Sequence, residues 1–229
     1  MNELITISTF VLMCIAIASA TKLGYKTLYI ISTFIIIVSN ITVGIEILIF
    51  NIPVSLGVII YSLIYLITDI ISEISNEKNE AYKFAIVNLL IQILFWIYMF
   101  LSINTEPVSG LNNHHAMHTL FNTSARITIA AIIASLGSFL DIWFYEYLLS
   151  KNRKKGERKV KYLWLRNILS TFIGQSFNTA IFFAIALYGI VDDLLMVILS
   201  AIVIKWIIAL LDTPFLYLAR NLNVKERNI

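Results

Sequence analysis

The chain has 229 residues, of which 59% are hydrophobic and only 14% are charged, against about 25% charged in an ordinary soluble domain. A soluble fold could not cover so much apolar surface, so the composition excludes a water-soluble protein. The net charge of +3 does not indicate a nucleic-acid partner, because membrane topology explains the clustering of the basic residues better.

Apolar segments recur along the whole chain, and a helix needs about 20 mostly apolar residues to cross a bilayer. We therefore predict an all-α fold, a polytopic membrane helix bundle of six to seven transmembrane helices in a single domain over residues 1–229. The predicted spans are approximately Leu4–Ala20, Thr27–Val43, Val54–Ile74, Ala81–Leu101, Ile127–Leu149, Tyr162–Tyr188 and Leu194–Leu218.

Two short stretches near the start of the chain need separate treatment. The first span has no basic region before it and no clear cleavage site, so we expect a retained span and not a signal peptide. Gly44–Pro53 contains only a brief apolar stretch, Ile45–Phe50, and is expected to be re-entrant or interfacial. Cys14 is the single cysteine and is predicted to be a packing residue, since it cannot form an internal disulfide.

Basic residues follow the odd-numbered spans, which predicts the orientation in the cell membrane. They are Lys22 and Lys26, Lys78 and Lys83, seven residues between Lys151 and Lys161, and then Arg220, Lys225 and Arg227. The opposite side carries only Arg126. This asymmetry predicts an external N-terminus and a cytoplasmic C-terminus.

The predicted outer loop, Ser102–Ser124, contains three histidines, His114, His115 and His118. A histidine cluster could bind a metal ion, but no acidic or cysteine partner lies at ligand spacing. We expect a solvated loop, with no metal and no cofactor.

Three aspartates lie inside predicted spans, where ionisable side chains are costly and are functional candidates by default. Asp69, Asp141 and Asp212 each lie beyond the middle of an odd-numbered span. Under the predicted topology these spans run in one direction, so the three carboxylates are expected at similar depth in the cytoplasmic half. Convergence on one cavity would lower the desolvation cost of each.

Span three carries a polar stripe at helical spacing. Ser62, Tyr65, Asp69 and Glu73 are separated by three, four and four residues, so they share one face. A phenol and two carboxylates suit a ligand with several N–H donors. For Glu73, a solvated position at the helix end is an equal alternative.

Span six carries a longer stripe of hydroxyl and amide side chains. Its members are Asn167, Ser170, Thr171, Gln175 and Asn178. Amides offer both donors and acceptors to a ligand, although the same groups also join helices in lipid. The length of the stripe favours a cavity lining.

Basic side chains also lie within or beside the last spans. Lys205 lies near the middle of span seven and needs a partner from another helix, for which Asp69 is the first choice. Arg166 and Arg126 lie at span starts, where either side chain could extend to the interface.

Aromatic residues near these polar groups suggest a substrate class. Tyr61, Tyr65, Trp143, Phe144 and Trp206 could stack on a planar, nitrogen-rich heterocycle whose edges the polar groups would bind.

Several motifs, in order, resemble the queuosine precursor transporter family of vitamin-uptake-type membrane proteins. The first runs from Tyr65 through Thr68-Asp69 to Glu73. The others are Trp164–Thr171 continuing to Gln175, Asn178 and Thr179, then Lys205 through Leu211–Tyr217, with Arg126 and Phe139-Leu140-Asp141 also fitting. Together they cover most of the chain from Asn40 to Tyr217.

The resemblance implies import of a 7-deazaguanine, such as 7-cyano-7-deazaguanine or its aminomethyl relative, which are precursors of modified tRNA nucleosides. It implies a fold like the membrane subunits of energy-coupling-factor uptake systems. The chain departs from the family pattern in two places. After Glu73 it reads Ile74-Ser75-Asn76-Glu77-Lys78 in place of an aromatic, a glycine and basic residues, and Asn178 stands where the pattern suggests aspartate.

The candidate substrate-binding residues therefore share burial in predicted spans and a polar side chain. They are Tyr65, Asp69, Glu73, Asp141, Asn167, Gln175, Asn178, Lys205 and Asp212. The expected partners are a deazaguanine-like small molecule and the lipid bilayer, with no nucleic acid. The alternative function is a substrate-binding subunit that needs separate ATPase chains, since the sequence has no Walker-type loop. Catalysis is disfavoured because G-x-S-x-G and H-E-x-x-H motifs are absent.

Overall fold

The computed structural model describes residues 2–50, 52–75, 79–105, 114–152 and 163–226. These ranges form α-helices joined by short connections, with one two-stranded hairpin. The helices are α1 (Asn2–Ala20), α2 (Thr27–Thr42), α3 (Leu56–Ile74), α4 (Glu80–Asn104), α5 (His114–Ala134), α6 (Leu136–Asn152), α7 (Leu163–Ala186) and α8 (Leu194–Glu226), with a 3-10 turn at Thr21–Leu23.

The predicted class, an all-α polytopic membrane bundle, is confirmed. Six segments of the described chain are long and apolar enough to cross a membrane, with α5 and α6 together forming one of them, and α2 is a shorter apolar helix. Side chains such as Leu94 on α4 and Leu199 on α8 project outward, as expected of residues that face lipid.

Helix α3 lies at the centre of the bundle. It packs against α1, α2, α4, α6 and α8, and almost every side chain from Gly57 to Ile71 is buried. Its apolar residues, with Leu63, Ile67 and Ile70 fully enclosed, form the core with buried residues of the surrounding helices. The polar stripe that α3 carries is therefore held inside the protein.

The segment between α2 and α3 forms a β-hairpin. Strand β1 (Glu46–Ile49) pairs with β2 (Ile52–Ser55) in antiparallel register, with Glu46 opposite Ser55. Phe50 at the turn has a φ of 50°. The sequence predicts that this segment is re-entrant or interfacial and does not indicate strands, because strands of four residues carry little periodic signal.

The predicted fifth span, Ile127–Leu149, is divided into α5 and α6 at Ser135. The backbone N–H of Ser138 donates to the carbonyl of Ser135 and not to that of Ala134. The Ala134 carbonyl instead accepts from the side-chain amide of Asn178, at 2.8 Å. Such a break inside a membrane helix is tolerated only where a neighbour satisfies the freed backbone group.

The outer loop is also shorter than predicted. Helix α4 continues to Asn104 and α5 begins at His114, so His114, His115 and His118 belong to a helix and not to the predicted solvated loop. Within the described ranges, no group of three His, Cys, Asp or Glu residues could hold a metal ion. Asn112, Asn113, Asn76–Lys78, Arg227 and most of the basic segment Lys151–Lys161 lie outside the described residues.

The bundle has two distinct ends. At one end, the backbone N–H of Trp164 at the start of α7 donates to the hydroxyl of Tyr217 near the end of α8, at 3.2 Å. At the other end, Arg126 of α5 donates to the carbonyl of Tyr188, just beyond the end of α7, at 2.7 Å. Arg126 therefore stabilises the end of α7, where a cation complements the helix dipole.

Candidate functional site

All nine side chains predicted to bind substrate lie inside the bundle. Eight of them are at most 3% exposed, and the side chain of Glu73 is 5% exposed. They come from α3, α6, α7 and α8. The structure thus brings residues far apart in sequence into one polar interior, whereas nothing in it identifies a bound ligand.

The amide stripe of α7 faces this interior along its whole length. Asn167, Ser170, Thr171, Gln175 and Asn178 are all buried. Asn167 donates to the hydroxyl of Thr213 on α8 at 2.9 Å, and Thr171 donates to the Asp69 carboxylate on α3 at 3.4 Å. Periodicity alone predicted that these positions share one buried face, because positions three and four apart lie together on a helix. Of the five residues, only Asn178 lines a cavity, the one beside Lys205.

Two glycines let α6 and α7 approach closely. A Cβ added at Gly137 would lie 2.7 Å from the Cβ of Asn178, and one added at Gly174 would collide with the Cβ of Asp141. Each glycine therefore makes room for a polar residue of the opposite helix. This small-residue crossing is typical of membrane helix pairs, and it places Asp141 and Asn178 at the same interface.

Several buried polar atoms in this region have no hydrogen-bond partner among the described residues. They include both carboxylate oxygens of Asp141, one of Asp69, both amide atoms of Gln175, the hydroxyl of Tyr65 and the carbonyl of Asn167. Native interiors leave few such groups unpaired, since each costs about 1–3 kcal/mol. Their concentration here is typical of a site that exchanges hydrogen bonds with a ligand or with water.

Glu73 is the centre of an ionic network at the end of the bundle where α3 ends and α7 begins. Its carboxylate pairs with Arg166 of α7 at 2.7 Å and with Arg220 of α8 at 3.3 Å, and it accepts from the hydroxyl of Tyr145 of α6 at 3.2 Å. The Arg166 guanidinium also lies 5.4 Å from the centre of the Tyr145 ring. Both sequence alternatives, a solvated Glu73 and an Arg166 extended to the interface, are therefore wrong.

Lys205 does not pair with Asp69, which corrects the expectation from sequence. Its ammonium donates to the Oδ1 of Asn178 at 3.4 Å and lies 5.7 Å from the centre of the Tyr61 ring. Among the described residues it forms no ion pair, and Asp69 forms none either. The spacing of residues along one helix could not reveal the partner of Lys205, because that partner depends on how four helices pack together.

A small cavity of about 30 Å³ lies beside Lys205, with room for about one water molecule and well below the roughly 300–1,000 Å³ usual for small-molecule sites. Its polar lining comes from Ser39, Asn40, Tyr61, Asn178 and Lys205. Ser39 and Asn40, on α2, were not among the predicted site residues. The sequence did contain a signal for Ser39 and Asn40, since they are adjacent polar residues in an apolar span.

The cavity continues toward the end that carries the hairpin. A wider opening of about 430 Å³ shares Val43, Ile127 and Phe182 with it, and Arg126 and Glu46 line the opening. The carboxylates of Asp69, Asp141 and Asp212 do not line the cavity. They lie deeper, toward the ionic network of Glu73.

Of the five aromatic residues predicted to stack on a substrate, only Tyr61 lines the cavity. Tyr65 is buried in the interior without lining it. Trp143 is 57% exposed and Trp206 is 36% exposed, and Trp206 stacks on Phe172 at the surface of α7. Tryptophans that face outward cannot stack on a ligand inside the bundle, so these two are excluded from the site, and Phe144 does not line the cavity either.

A bundle of apolar helices around a polar cavity and buried charges defines a multi-pass membrane transporter. Comparison with known proteins agrees with this class. Residues 55–219 match the family described as "Putative vitamin uptake transporter", and the chain belongs to this family. It is 27% identical over 207 residues to the "Probable queuosine precursor transporter" of Bacillus subtilis (strain 168), covering 87% of this chain and 86% of the relative. No solved structure matches the chain at a significant level.

Proposed function

We propose that this protein imports a queuosine- or archaeosine-type precursor, 7-cyano-7-deazaguanine or 7-aminomethyl-7-deazaguanine, into the cytoplasm. The observation that carries the proposal is the concentration of buried polar atoms without partners inside the bundle, beside a small cavity at Lys205 that adjoins a wider opening of about 430 Å³. The name of the Bacillus subtilis relative supports the same substrate class.

The chemistry of the cavity suits a deazaguanine. Such a base has a carbonyl acceptor, ring N–H and amino donors, and a flat aromatic face. Lys205 and Asn178 supply donors for the carbonyl edge, and the phenol ring of Tyr61 supplies an aromatic surface beside them. These groups come from α3, α7 and α8, so a base held there would contact three helices, and the cavity of about 30 Å³ must widen to admit it.

The remaining predicted residues would act along the route from the cavity toward the cytoplasm. Tyr65, Gln175 and Asp141 carry the unpartnered atoms next along this route, and a base with N–H donors could satisfy their oxygens. Asn167 and Asp212 come next along this route, inside the bundle like Asp141. Glu73 is held by two arginines, and we propose that it closes this route by joining α3, α7 and α8 when the cavity is open on the opposite side.

The orientation proposed for import places the hairpin and the wide opening outside the cell. The N-terminus is then external and the C-terminus cytoplasmic, in the cell membrane. The contact between the ends of α3, α7 and α8 through Glu73, Arg166 and Arg220 supports this, because it gathers basic residues at one end of the bundle. We further propose that the protein transports its substrate without catalysing a reaction.

A second candidate is a substrate-binding membrane subunit that works with separate ATPase chains. The family description, which refers to vitamin uptake, favours keeping this candidate. The two functions differ in one measurable respect. A self-sufficient transporter moves substrate when it is reconstituted alone, whereas a substrate-binding subunit binds it tightly and does not translocate it without its partners.

Uptake by cells that cannot synthesise deazaguanines tests the proposal. Cells expressing this protein should accumulate labelled 7-cyano-7-deazaguanine, and should form the modified tRNA nucleoside from it, whereas cells with an empty vector should do neither. Unlabelled aminomethyl-deazaguanine should compete and a vitamin such as riboflavin should not. Absence of uptake despite normal membrane expression would refute the proposed function.

A further inference from the structure

The three aspartates inside the bundle present an electrostatic problem that substrate binding does not solve. Asp69, Asp141 and Asp212 are at most 2% exposed. Among the described residues none of them forms an ion pair, because Glu73 takes both nearby arginines and Lys205 is bonded to Asn178. An isolated buried carboxylate is so unfavourable that it neutralises itself by binding a proton.

The carboxylates also influence one another. Asp69 is close enough to interact electrostatically with both Asp141 and Asp212, and Asp141 with Asp212. Carboxylates that share a site cannot all be ionised, because each charge opposes the next. A single positive charge entering this group, from any source, would be strongly attracted.

Neutral oxygen-bearing groups point to the same place. The buried hydroxyl of Tyr65 lies near Ser138 and is close enough to Asp141 to interact with it. Thr171 donates to one oxygen of Asp69, while the other oxygen has no partner. Gln175, one turn beyond Thr171, leaves both amide atoms unpaired. Hydroxyls and amides can pass or stabilise a proton between carboxylates.

Other charged or titratable groups lie near the cluster on the helices packed against it. They are Glu73 on α3, Tyr145 on α6, Arg166 on α7, Lys205 on α8 and Cys14 on α1. Arg166 and Tyr145 interact electrostatically with Asp69. Cys14 interacts with Asp212. Arg166 is committed to Glu73 at 2.7 Å. The carboxylate of Glu80 on α4 is bonded to Tyr29 and Lys83 at the end of that helix and does not belong to the cluster.

We propose that Asp69, Asp141 and Asp212 form a proton-binding site that energises transport, distinct from the substrate cavity beside Lys205. This inference rests on the proposed function. In each cycle a proton enters from the outer side and binds a carboxylate oxygen, forming an O–H bond. It leaves to the cytoplasm when the inner end opens and water reaches the cluster, which returns the carboxylate to its charged form. No other co-reactant is required.

The first test is independent of any substrate. Infrared spectra of the purified protein in lipid nanodiscs should contain a carbonyl band from protonated carboxyl groups that shifts in heavy water. Asp141→Asn, Asp69→Asn and Asp212→Asn should each lower its intensity. Glu80→Gln is the matched control and should leave the band unchanged, because that carboxylate is already paired with Lys83. Absence of the band in the unmodified protein would refute the proton site.

The second test uses proteoliposomes containing the protein alone. Exchange of labelled for unlabelled 7-cyano-7-deazaguanine without any gradient tests the proposed function by itself. An inside-alkaline pH gradient should then drive accumulation of several-fold or more above equilibrium, together with alkalinisation outside the vesicles. Accumulation driven only by a sodium gradient, or only after ATPase subunits are added, would refute proton coupling. Exchange without accumulation under a pH gradient would also refute proton coupling. Absence of exchange would refute the proposed function, and the infrared result would then decide proton binding.

Discussion

At the scale of single residues, the interior holds two kinds of buried charge. Glu73 is fully compensated by Arg166, Arg220 and Tyr145, as expected of a group that closes one end of the bundle. Lys205 has an amide and an aromatic ring beside it and no carboxylate among the described residues. A lysine that lacks an ion pair in a cavity is available to a ligand, which is why we propose Lys205 as part of the substrate site.

The ionic network predicts strong energetic coupling between Glu73 and Arg166. Glu73→Gln and Arg166→Met should each destabilise the protein by about 3–5 kcal/mol, because each leaves a buried charge without its partner. The double variant should be less destabilised than the sum of the two, by at least about 1 kcal/mol. Thermal unfolding in detergent measures all four forms.

The pair Lys205 and Asp69 is the matched comparison for that cycle. Since these side chains do not contact each other, Lys205→Met and Asp69→Asn should be additive within about 0.5 kcal/mol. Coupling as large as that of Glu73 with Arg166 would mean that the two groups pair in the membrane, contrary to the contact of Lys205 with Asn178.

Asn178 has two structural roles, and its removal should be costly for transport. It accepts from Lys205 and donates to the carbonyl of Ala134. Asn178→Leu should lower deazaguanine uptake per molecule of protein in the membrane by more than tenfold, because it removes the contacts with Lys205 and with the Ala134 carbonyl. Ser176→Ala, on the other side of α7 where Ser176 accepts from Trp206, is the control and should transport normally. Normal uptake by Asn178→Leu would reassign the stripe to helix packing.

At the scale of elements, the crossing of α6 with α7 determines where the polar groups meet. Gly137 lies against Asn178, and Gly174 lies against Asp141. Membrane helices lack a hydrophobic driving force for association, so close packing of this kind contributes much of their affinity. Larger side chains at either glycine would separate the stripe of α7 from the carboxylate of α6.

Gly174→Ala should therefore destabilise the protein by about 1–3 kcal/mol, the usual cost of overpacking. The reason is that its Cβ would overlap the Cβ of Asp141. Gly44→Ala serves as the control, since a Cβ there would have no neighbour within 4 Å, and its melting temperature should match that of the unmodified protein. Equal melting temperatures for both variants would show that the helices are not packed so closely.

Sequence reasoning succeeded at this scale where a periodic signal was long. The five polar residues of α7, and the stripe from Ser62 to Glu73 on α3, repeat every three or four positions, and both face the interior. It failed where the structure depends on a contact across the bundle. Ser135 gives no sign of a helix break, because the break is stabilised by Asn178 from another helix, and strands β1 and β2 are too short to show a period.

At the scale of the whole molecule, the two ends of the bundle differ in chemistry. One end has the hairpin and the wide opening, and the other has the gathered arginines around Glu73. In an otherwise unmodified Cys14→Ala protein, Leu48→Cys in the hairpin should react with a membrane-impermeant maleimide from outside intact cells. Lys22→Cys should react only after permeabilisation, because it follows the first span. The reverse pattern would invert the proposed orientation.

The hairpin also determines how the protein sits in a bilayer. Leu48 is 56% exposed and Phe50 is 71% exposed, and a two-stranded hairpin has open edges that hydrocarbon cannot satisfy. The boundary of the hydrocarbon must then pass near Leu56, where α3 begins. Its 19 residues span about 28 Å, close to the roughly 30 Å of a bilayer core, so α3 is just long enough to cross it. With 25 and 33 residues, α4 and α8 exceed this thickness and must tilt or extend beyond it, so helices of unequal length have to share one bilayer.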